Sequence, residues 1–449
     1  MDWDHLAEEK SQHLFVRWLQ LLSRESPALP LKLASQHYSA SRPVEASDFV
    51  TGSYNICSVV TFEDGFRVIV RFPILGRSRF RTEKSRDEIA IMQFLRRQTK
   101  LPVPVVLGGG RWGLGPYIVT TFLEGKPLSK RLQDSTRELC KSDPDALNNV
   151  QKAYYAMSRI LLELAKPTFS TIGTLQLESG IWRVSKRPLT LNMNELVRVG
   201  NLPPRIFTDK TFPTASEYFQ ELATQQLLHL QYQRNDAIDD VDDCRKKYIA
   251  RCLFRKIAQG IDTIPGPFHL YCDDLRPSNV LVSEADFMIS GVIDWEFTYV
   301  APAEFTFTAP WWLLFESPEA WESDLNAFLD RYLPRLHIFL KVLRDCEDRQ
   351  IRKGSMDESQ RLSDQMALSV ENGLFWFCLA ARKSFMFDDI YWSFLDEKHF
   401  GPLHCLDERL SLLSQQEQIE LDDFVQKKMQ QVAEKRLGQH LTFDEIVDL

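Results

Sequence analysis

Cys272-Asp273-Asp274-Leu275-Arg276-Pro277-Ser278-Asn279, followed by Ile293-Asp294-Trp295, is the stretch that decides the fold. An Asp comes first, an Asn stands five residues later, and a second Asp lies fifteen residues beyond that. Apolar runs border both ends, Val280-Leu281-Val282 after the Asn and Val292-Ile293 before the second Asp. The spacing predicts a loop, a short hairpin, and an acidic position returned to the side of the loop. Phosphoryl transfer from a nucleotide uses such a set: one carboxylate orients the attacking hydroxyl, while an amide and a second carboxylate hold Mg²⁺ against the phosphates. A hairpin whose Asp and Asn merely serve turns is the competing reading, since both residues favour turns. The second Asp and the flanking strands count against it.

Size and composition set the frame. The chain has 449 residues, mass for two to three domains, with 44% hydrophobic and 26% charged residues, as in an ordinary globular protein. A net charge of -8 with no long basic block gives nucleic-acid binding little support. Eight cysteines are scattered without a Cys-x-x-Cys pair and read as reduced, mostly buried thiols. The nine histidines show no zinc-ligand spacing. Met1-Asp2-Trp3-Asp4-His5 lacks the features of a signal or transit peptide, and no apolar run approaches membrane-span length, so the cytosol is the expected compartment.

Working outward, residues 1-45 begin as an amphipathic helix carrying Phe15, Trp18, Leu19 and Leu22, then turn loop-like. That helix either packs on the main body or docks a partner. Ile56 to Phe62 and Phe66 to Phe72 read as two strands around Glu63-Asp64-Gly65, a hairpin turn. A helix is expected over 82-99, an extended segment at Leu101-Pro102-Val103-Pro104, and a strand over 116-123. Residues 46-126 thus form a small β-rich unit with one main helix. From 127 to 449 the chain reads as mostly helical, with helices near Tyr154-Leu164 and over 216-234, 245-259, 316-347, 359-386 and 416-437, interrupted by the hairpin region 268-300. The acidic run Asp236, Asp239, Asp240, Asp242 and Asp243 reads as a solvated loop, with a cationic-substrate site as the sharper alternative. Trp376, Phe377, Leu379 and Phe387 read as core.

A β-rich unit followed by a helical unit, with the Asp-Asn-Asp set between helices, is the order of a kinase-like chain. From about Phe49 to Phe315 the sequence resembles the aminoglycoside phosphotransferase-like (phosphotransferase enzyme) family in its fungal form. The carriers are Phe62-Glu63-Asp64-Gly65 with Val70-Arg71-Phe72-Pro73, then Thr99-Lys100-Leu101-Pro102-Val103-Pro104, Phe122-Leu123-Glu124-Gly125 and Phe169-Ser170-Thr171-Ile172-Gly173. Asp274-Leu275-Arg276-Pro277-Ser278-Asn279 and Gly291-Val292-Ile293-Asp294-Trp295-Glu296-Phe297 complete the set. The resemblance implies an α+β, two-lobed, protein-kinase-like fold with ATP or GTP in the cleft and a small-molecule hydroxyl as acceptor. It implies Asp274 as the catalytic base or hydroxyl-orienting group, and Asn279 and Asp294 as Mg²⁺ ligands. Arg71 stands where family members use a Lys for the phosphates; its alternative is a surface strand cation. Glu88 is its expected partner, with Glu83 also available. Gly52-Ser53-Tyr54-Asn55 occupies the nucleotide-loop position with a single Gly. Thr121, Phe122 and Leu123 fall at the inter-lobe hinge, where backbone groups could meet a purine edge.

Departures from the family pattern open a second reading, a catalytically silent binding or scaffold protein. Cys272 replaces a His two residues before the catalytic Asp and reads as a structural thiol rather than a nucleophile. Asp273 either faces solvent or raises the pKa of Asp274 by like-charge repulsion. Arg276 is expected to touch phosphate or Glu296, and His269 to sit in the strand entering the loop.

Overall fold

In a computed structural model, residues 2-132, 144-283, 287-316 and 325-440 are described. Two helices come first, α1 (His5–Arg24) and α2 (Ala28–His37). Six strands and a helix follow: β1 (Pro43–Ala46), β2 (Val50–Thr51), β3 (Asn55–Phe62), β4 (Arg67–Pro73), α3 (Arg81–Gln98), β5 (Val106–Trp112) and β6 (Gly115–Thr121). The strands form one antiparallel sheet in the order β1-β3-β4-β6-β5, with β2 paired to β3. The period-2 pattern sets its two faces: Ile56, Val60 and Phe62 on β3 and Val68, Val70 and Phe72 on β4 are at most 1% exposed. Gly65 closes the β3-β4 turn at φ 79°, a conformation that favours glycine.

The N-terminal helix packs on this sheet. Asp4 caps α1 by accepting from the Leu6 and Ala7 N–H groups. One turn apart, Phe15, Trp18 and Leu22 are buried in a core shared with β3, β4 and β6. Burial of each contributes about 1.5–3 kcal/mol. Gly76, at φ 92°, lies so close to the Ser11 carbonyl that a Cβ there would collide with the α1 backbone. The stretch read as loop-like after α1 is instead helix α2. Its prolines, Pro27 at the N-cap and Pro30 in the first turn, sit where a helix has N–H groups to spare.

The larger lobe is mainly helical. It contains β7 (Lys126–Pro127), α4 (Pro144–Leu164), a hairpin of β8 (Thr174–Glu178) and β9 (Ile181–Lys186), α5 (Leu191–Arg198), α6 (Ala215–Tyr232) and α7 (Val241–Gly260). Then come β10 (His269–Cys272), β11 (Val280–Val282), β12 (Ile289–Val292), β13 (Thr298–Ala301), α8 (Ala303–Phe307) and α9 (Leu325–Arg352). The chain closes with α10 (Leu362–Glu371), α11 (Leu374–Arg382), α12 (Phe387–Ile390), α13 (Asp396–Phe400), α14 (Leu406–Leu410) and α15 (Gln415–Glu434). This is a two-lobed, protein-kinase-like α+β arrangement. The lobes share core at α3, where Phe94 meets Phe169 at 5.7 Å and Trp182 at 5.3 Å between ring centroids.

Two further expectations change. The β8-β9 hairpin and helix α5 stand between the helices expected near Tyr154-Leu164 and over 216-234, in a stretch read as mostly helical. The helix expected over 359-386 is split at Gly373, which holds φ 82°. Part of the helix expected from 316 lies outside the described residues, as does Cys140. Seven described cysteines are free thiols, five of them buried and Cys405 exposed. Trp376, Phe377, Leu379 and Phe387 are core. The acidic run is structural: Asp240 caps α7, Asp243 pairs with Lys247 at 2.7 Å, and Asp236 meets His5 at 2.6 Å. Among the described residues no helix is long and apolar enough to cross a membrane.

Candidate active site

Two short ladders hold the loop that carries Asp274. On its entry side β10 pairs with β13, Cys272 opposite Thr298. On its exit side β11 pairs with β12, Val280 opposite Val292, and the Ile293 N–H donates to the Asn279 carbonyl at 2.9 Å. The β11-β12 hairpin therefore returns Asp294 to the side of Asn279, as its spacing predicted. Trp295 anchors the return from inside the core and donates Nε1–H to the Val292 carbonyl at 2.9 Å. Asp294 and Phe297 hold φ of 57° and 55°, left-handed conformations that cost a non-glycine residue about 1 kcal/mol or more.

Asn279 donates Nδ2 to the Asp274 carbonyl at 2.9 Å and to its Oδ2 at 3.3 Å. Arg276 places Nε 3.2 Å from Asp274 Oδ1, and not on Glu296. Burial pushes the Asp274 carboxyl up to about 6; Arg276 and the Asn279 hydrogen bond oppose this, while Glu296 and Asp294 add to it. Asp273 does not face solvent. It is buried, accepts from the Leu191 N–H at 2.9 Å and the Tyr299 hydroxyl at 3.1 Å, and lies 3.8 Å from Arg382. Cys272 is buried with Sγ 3.8 Å from the Glu296 carbonyl, and burial raises its thiol pKa, so it braces the backbone after Asp294 and is a poor nucleophile.

Arg71 is no surface cation. Its Nη1 donates to Asp294 Oδ1 at 3.0 Å and its Nη2 pairs with Glu88 Oε2. Burial works against the Arg71 charge, but Glu88 and Asp294 more than offset it and raise its pKa. Glu83, the other candidate partner, pairs with Arg187 at 3.0 Å. Gly52, Ser53 and Tyr54 form a tight turn between β2 and β3, in which the Gly52 N–H donates to the Asn55 carbonyl at 2.8 Å. Tyr54 fastens the turn to the larger lobe by donating its hydroxyl to Glu195 Oε1 at 3.1 Å. At the hinge, the Thr121 N–H is given to the Val105 carbonyl at 2.9 Å and the Phe122 N–H to the Arg67 carbonyl at 3.0 Å. A purine edge could not take those two donors. Leu123 packs against Gly291, where a Cβ would crowd it.

A buried network was missed by sequence reasoning. Lys84 Nζ pairs with Glu296 Oε2 and donates to Asn55 Oδ1 at 3.1 Å, and Asn55 Nδ2 donates to Glu296 Oε2 at 2.9 Å. It ties together the first residue of β3, helix α3 and the segment after Asp294. Burial of Glu296 is opposed by Lys84 and Arg71, which hold its carboxyl below the usual range. One signal was available: Lys84 lies one helical turn before Glu88, on the same face of α3.

The site offers hard oxygen donors for a divalent cation. Asn279 spends its amide NH₂ on Asp274, leaving its carbonyl oxygen, and the part-exposed Asp294 gives one oxygen to Arg71 and retains the other. Beside Asp274 opens a cavity of about 280 Å³, walled by Ser53 and Tyr54 from the smaller lobe and by α5, Trp311 and the 379-386 segment from the larger one.

Comparison with known proteins adds the lineage. Altered inheritance of mitochondria protein 9, mitochondrial, of Debaryomyces hansenii is 22% identical over 326 residues, covering 63% of this chain and 49% of that protein. Clavilactone A biosynthesis cluster protein Y of Ampulloclitocybe clavipes is 24% identical over 276 residues, covering 58% and 62%. The chain thus spans 49% and 62% of the length of these curated relatives. The macrolide 2'-phosphotransferase MphH of Brachybacterium faecium aligns in structure with a TM-score of 0.37 and 13% identity, over 85% of this chain and 100% of that one. The profile of the Phosphotransferase enzyme family matches residues 58–343, well over half of the sequence, and the chain belongs to that family.

Proposed function

We propose that the chain moves the terminal phosphoryl group of ATP or GTP to a hydroxyl of a small molecule seated beside Asp274. The observation that carries this reading is the convergence of Asp274, Asn279, Asp294, Arg71 and Glu88, drawn from both lobes and joined by hydrogen bonds and ion pairs, with Asp274 lining one open cavity. The acceptor oxygen forms a bond to the γ-phosphorus, the bond from that phosphorus to the β-γ bridging oxygen breaks, and the hydroxyl proton passes to Asp274. Orientation is the main task of Asp274, which Asn279 and Arg276 hold in place. Arg71, braced by Glu88, meets phosphate oxygens with a permanent charge. Asn279 and Asp294 are the residues that would hold Mg²⁺, which supplies charge neutralisation to the phosphates when bound. The cytosol, where the seven described free thiols would persist, is the proposed setting.

A non-catalytic binding protein is the second reading, favoured by the Arg71–Asp294 ion pair, which engages a carboxylate the metal needs. Thermal-shift titration with nucleotide, with Mg²⁺ and then with chelator, separates the two. Metal-dependent stabilisation together with ADP or GDP formation supports the transferase. A shift indifferent to metal, with no nucleotide consumed, supports the binding protein.

A further inference from the structure

The cavity beside Asp274 has one wall delivered from the far end of the sequence. Trp3 lines it, 6.4 Å from Phe385 in an edge-to-face contact and 5.0 Å from the Arg198 guanidinium. The ring remains 38% exposed, although its backbone is tightly fixed. The Asp2 carbonyl accepts from Gln233 Nε2 at 2.6 Å, the Asp4 N–H donates to the Val199 carbonyl at 2.9 Å, and the Asp4 carboxylate accepts from Asn235. Meanwhile α1 is buried in the smaller lobe. The helix is a strut between the lobes, and its near end presents an indole face to the pocket.

The charges of the pocket are also distinctive. Among the described residues it is lined by three carboxylates, and each has a guanidinium partner. Glu195 is bridged by Arg198 Nε at 3.0 and 3.2 Å, Asp274 by Arg276 at 3.2 Å, and Asp273 faces Arg382 at 3.8 Å. Lys383 also lines the wall, its Nζ 5.9 Å from the centroid of the Trp311 ring. A polyamine acceptor would meet three guanidiniums and carboxylates already paired with them, at a large desolvation cost. An aromatic-sized acceptor would meet Trp3, Trp311 and Phe385.

We propose that the acceptor is an alcohol of aromatic size bearing no cationic group, uncharged or acidic, and that Trp3 is the residue that selects it. The inference rests on the phosphotransfer reading for the position of the reacting hydroxyl. It is tested on the full chain by ligand-observed NMR with a matched set of probes, 4-(hydroxymethyl)benzoate, 4-(hydroxymethyl)benzamide and 4-(hydroxymethyl)benzylamine, alongside kanamycin. The benzoate or the benzamide binds at least about fivefold tighter than either amine, and Trp3→Ala weakens that binding about fivefold, the worth of one aromatic contact. Trp3→Leu, which keeps apolar bulk against Phe385, weakens it likewise, so the result stands even where Trp3→Ala unfolds. The proposal is overturned by tighter binding of an amine, by no binding of the benzoate or benzamide at millimolar concentration, or by binding indifferent to both Trp3 variants. A thermal shift with Mg·AMP-PNP in the same samples reports separately on the nucleotide reading, and both Trp3 variants leave that shift unchanged.

Discussion

Lys84→Met should be among the most damaging single substitutions in the chain. Lys84 and Glu296 have side chains only 1% and 3% exposed, and Asn55 is the other direct partner of both. Removing the ammonium leaves a buried carboxylate with one amide donor. Loss of one member of such a pair costs about 3–5 kcal/mol. The cost has a ceiling, because the stranded Glu296 can take up a proton once Lys84 no longer holds its pKa down. The variant is therefore predicted to lose the most at pH 8 and about 1–2 kcal/mol less at pH 5, where protonation is cheaper. Glu296→Gln alone should be destabilising by a comparable amount. The pair Lys84→Met with Glu296→Gln should cost at least about 2 kcal/mol less than the sum of the singles, since neither charge is then left alone. Urea unfolding of the four proteins at both pH values gives the cycle. Additive singles, or a Lys84→Met loss below about 1 kcal/mol, would refute the reasoning and reduce the network to incidental packing.

Other outcomes follow from single sites. Asp274→Asn should lower turnover by about 10²–10⁴-fold in a nucleotide-consumption assay, with the unfolding midpoint nearly unchanged; retained turnover removes Asp274 from the mechanism. Asp87, on the buried side of α3, has its carboxyl pushed from 3.8 to about 7 by burial, with Glu83 adding and Arg86 opposing. Its folded pKa lies above the unfolded one, so the contribution is present below pH about 4 and is lost as the pH rises to about 7. Asp87→Asn should thus stabilise the protein by about 1–2 kcal/mol at pH 8, within a limit of about 4, and give no gain near pH 4 in urea unfolding at the two pH values. Gly76→Ala forces a Cβ into the Ser11 carbonyl at a positive φ, and should cost about 2 kcal/mol or more by thermal unfolding.

What the sequence disclosed, and what it hid, follows chain distance. Asp274, Asn279 and Asp294 are joined by one hairpin, so their meeting is written in local spacing and strand pattern. Arg71 and Glu88 were legible because a strand and the next helix bring them together. The Lys84–Glu296–Asn55 network spans more than 200 residues, and nothing local in it distinguishes a buried lysine from an exposed one. Asp273 invited a solvent-facing reading because its cover, Tyr299, Leu191 and Arg382, comes from three remote elements. The β8-β9 hairpin carried a usable mark, Ser179-Gly180 with both φ positive, between the alternating runs Thr174-Leu175-Gln176-Leu177 and Ile181-Trp182-Arg183-Val184.

The fastening of Asp2 and Asp4 to the larger lobe bears on how the protein is handled. Whatever is joined ahead of residue 2, an affinity tag or a cleavage remnant, begins within two residues of Trp3, which lines the cavity beside Asp274. A preparation tagged at that end and found inert would say little about the enzyme.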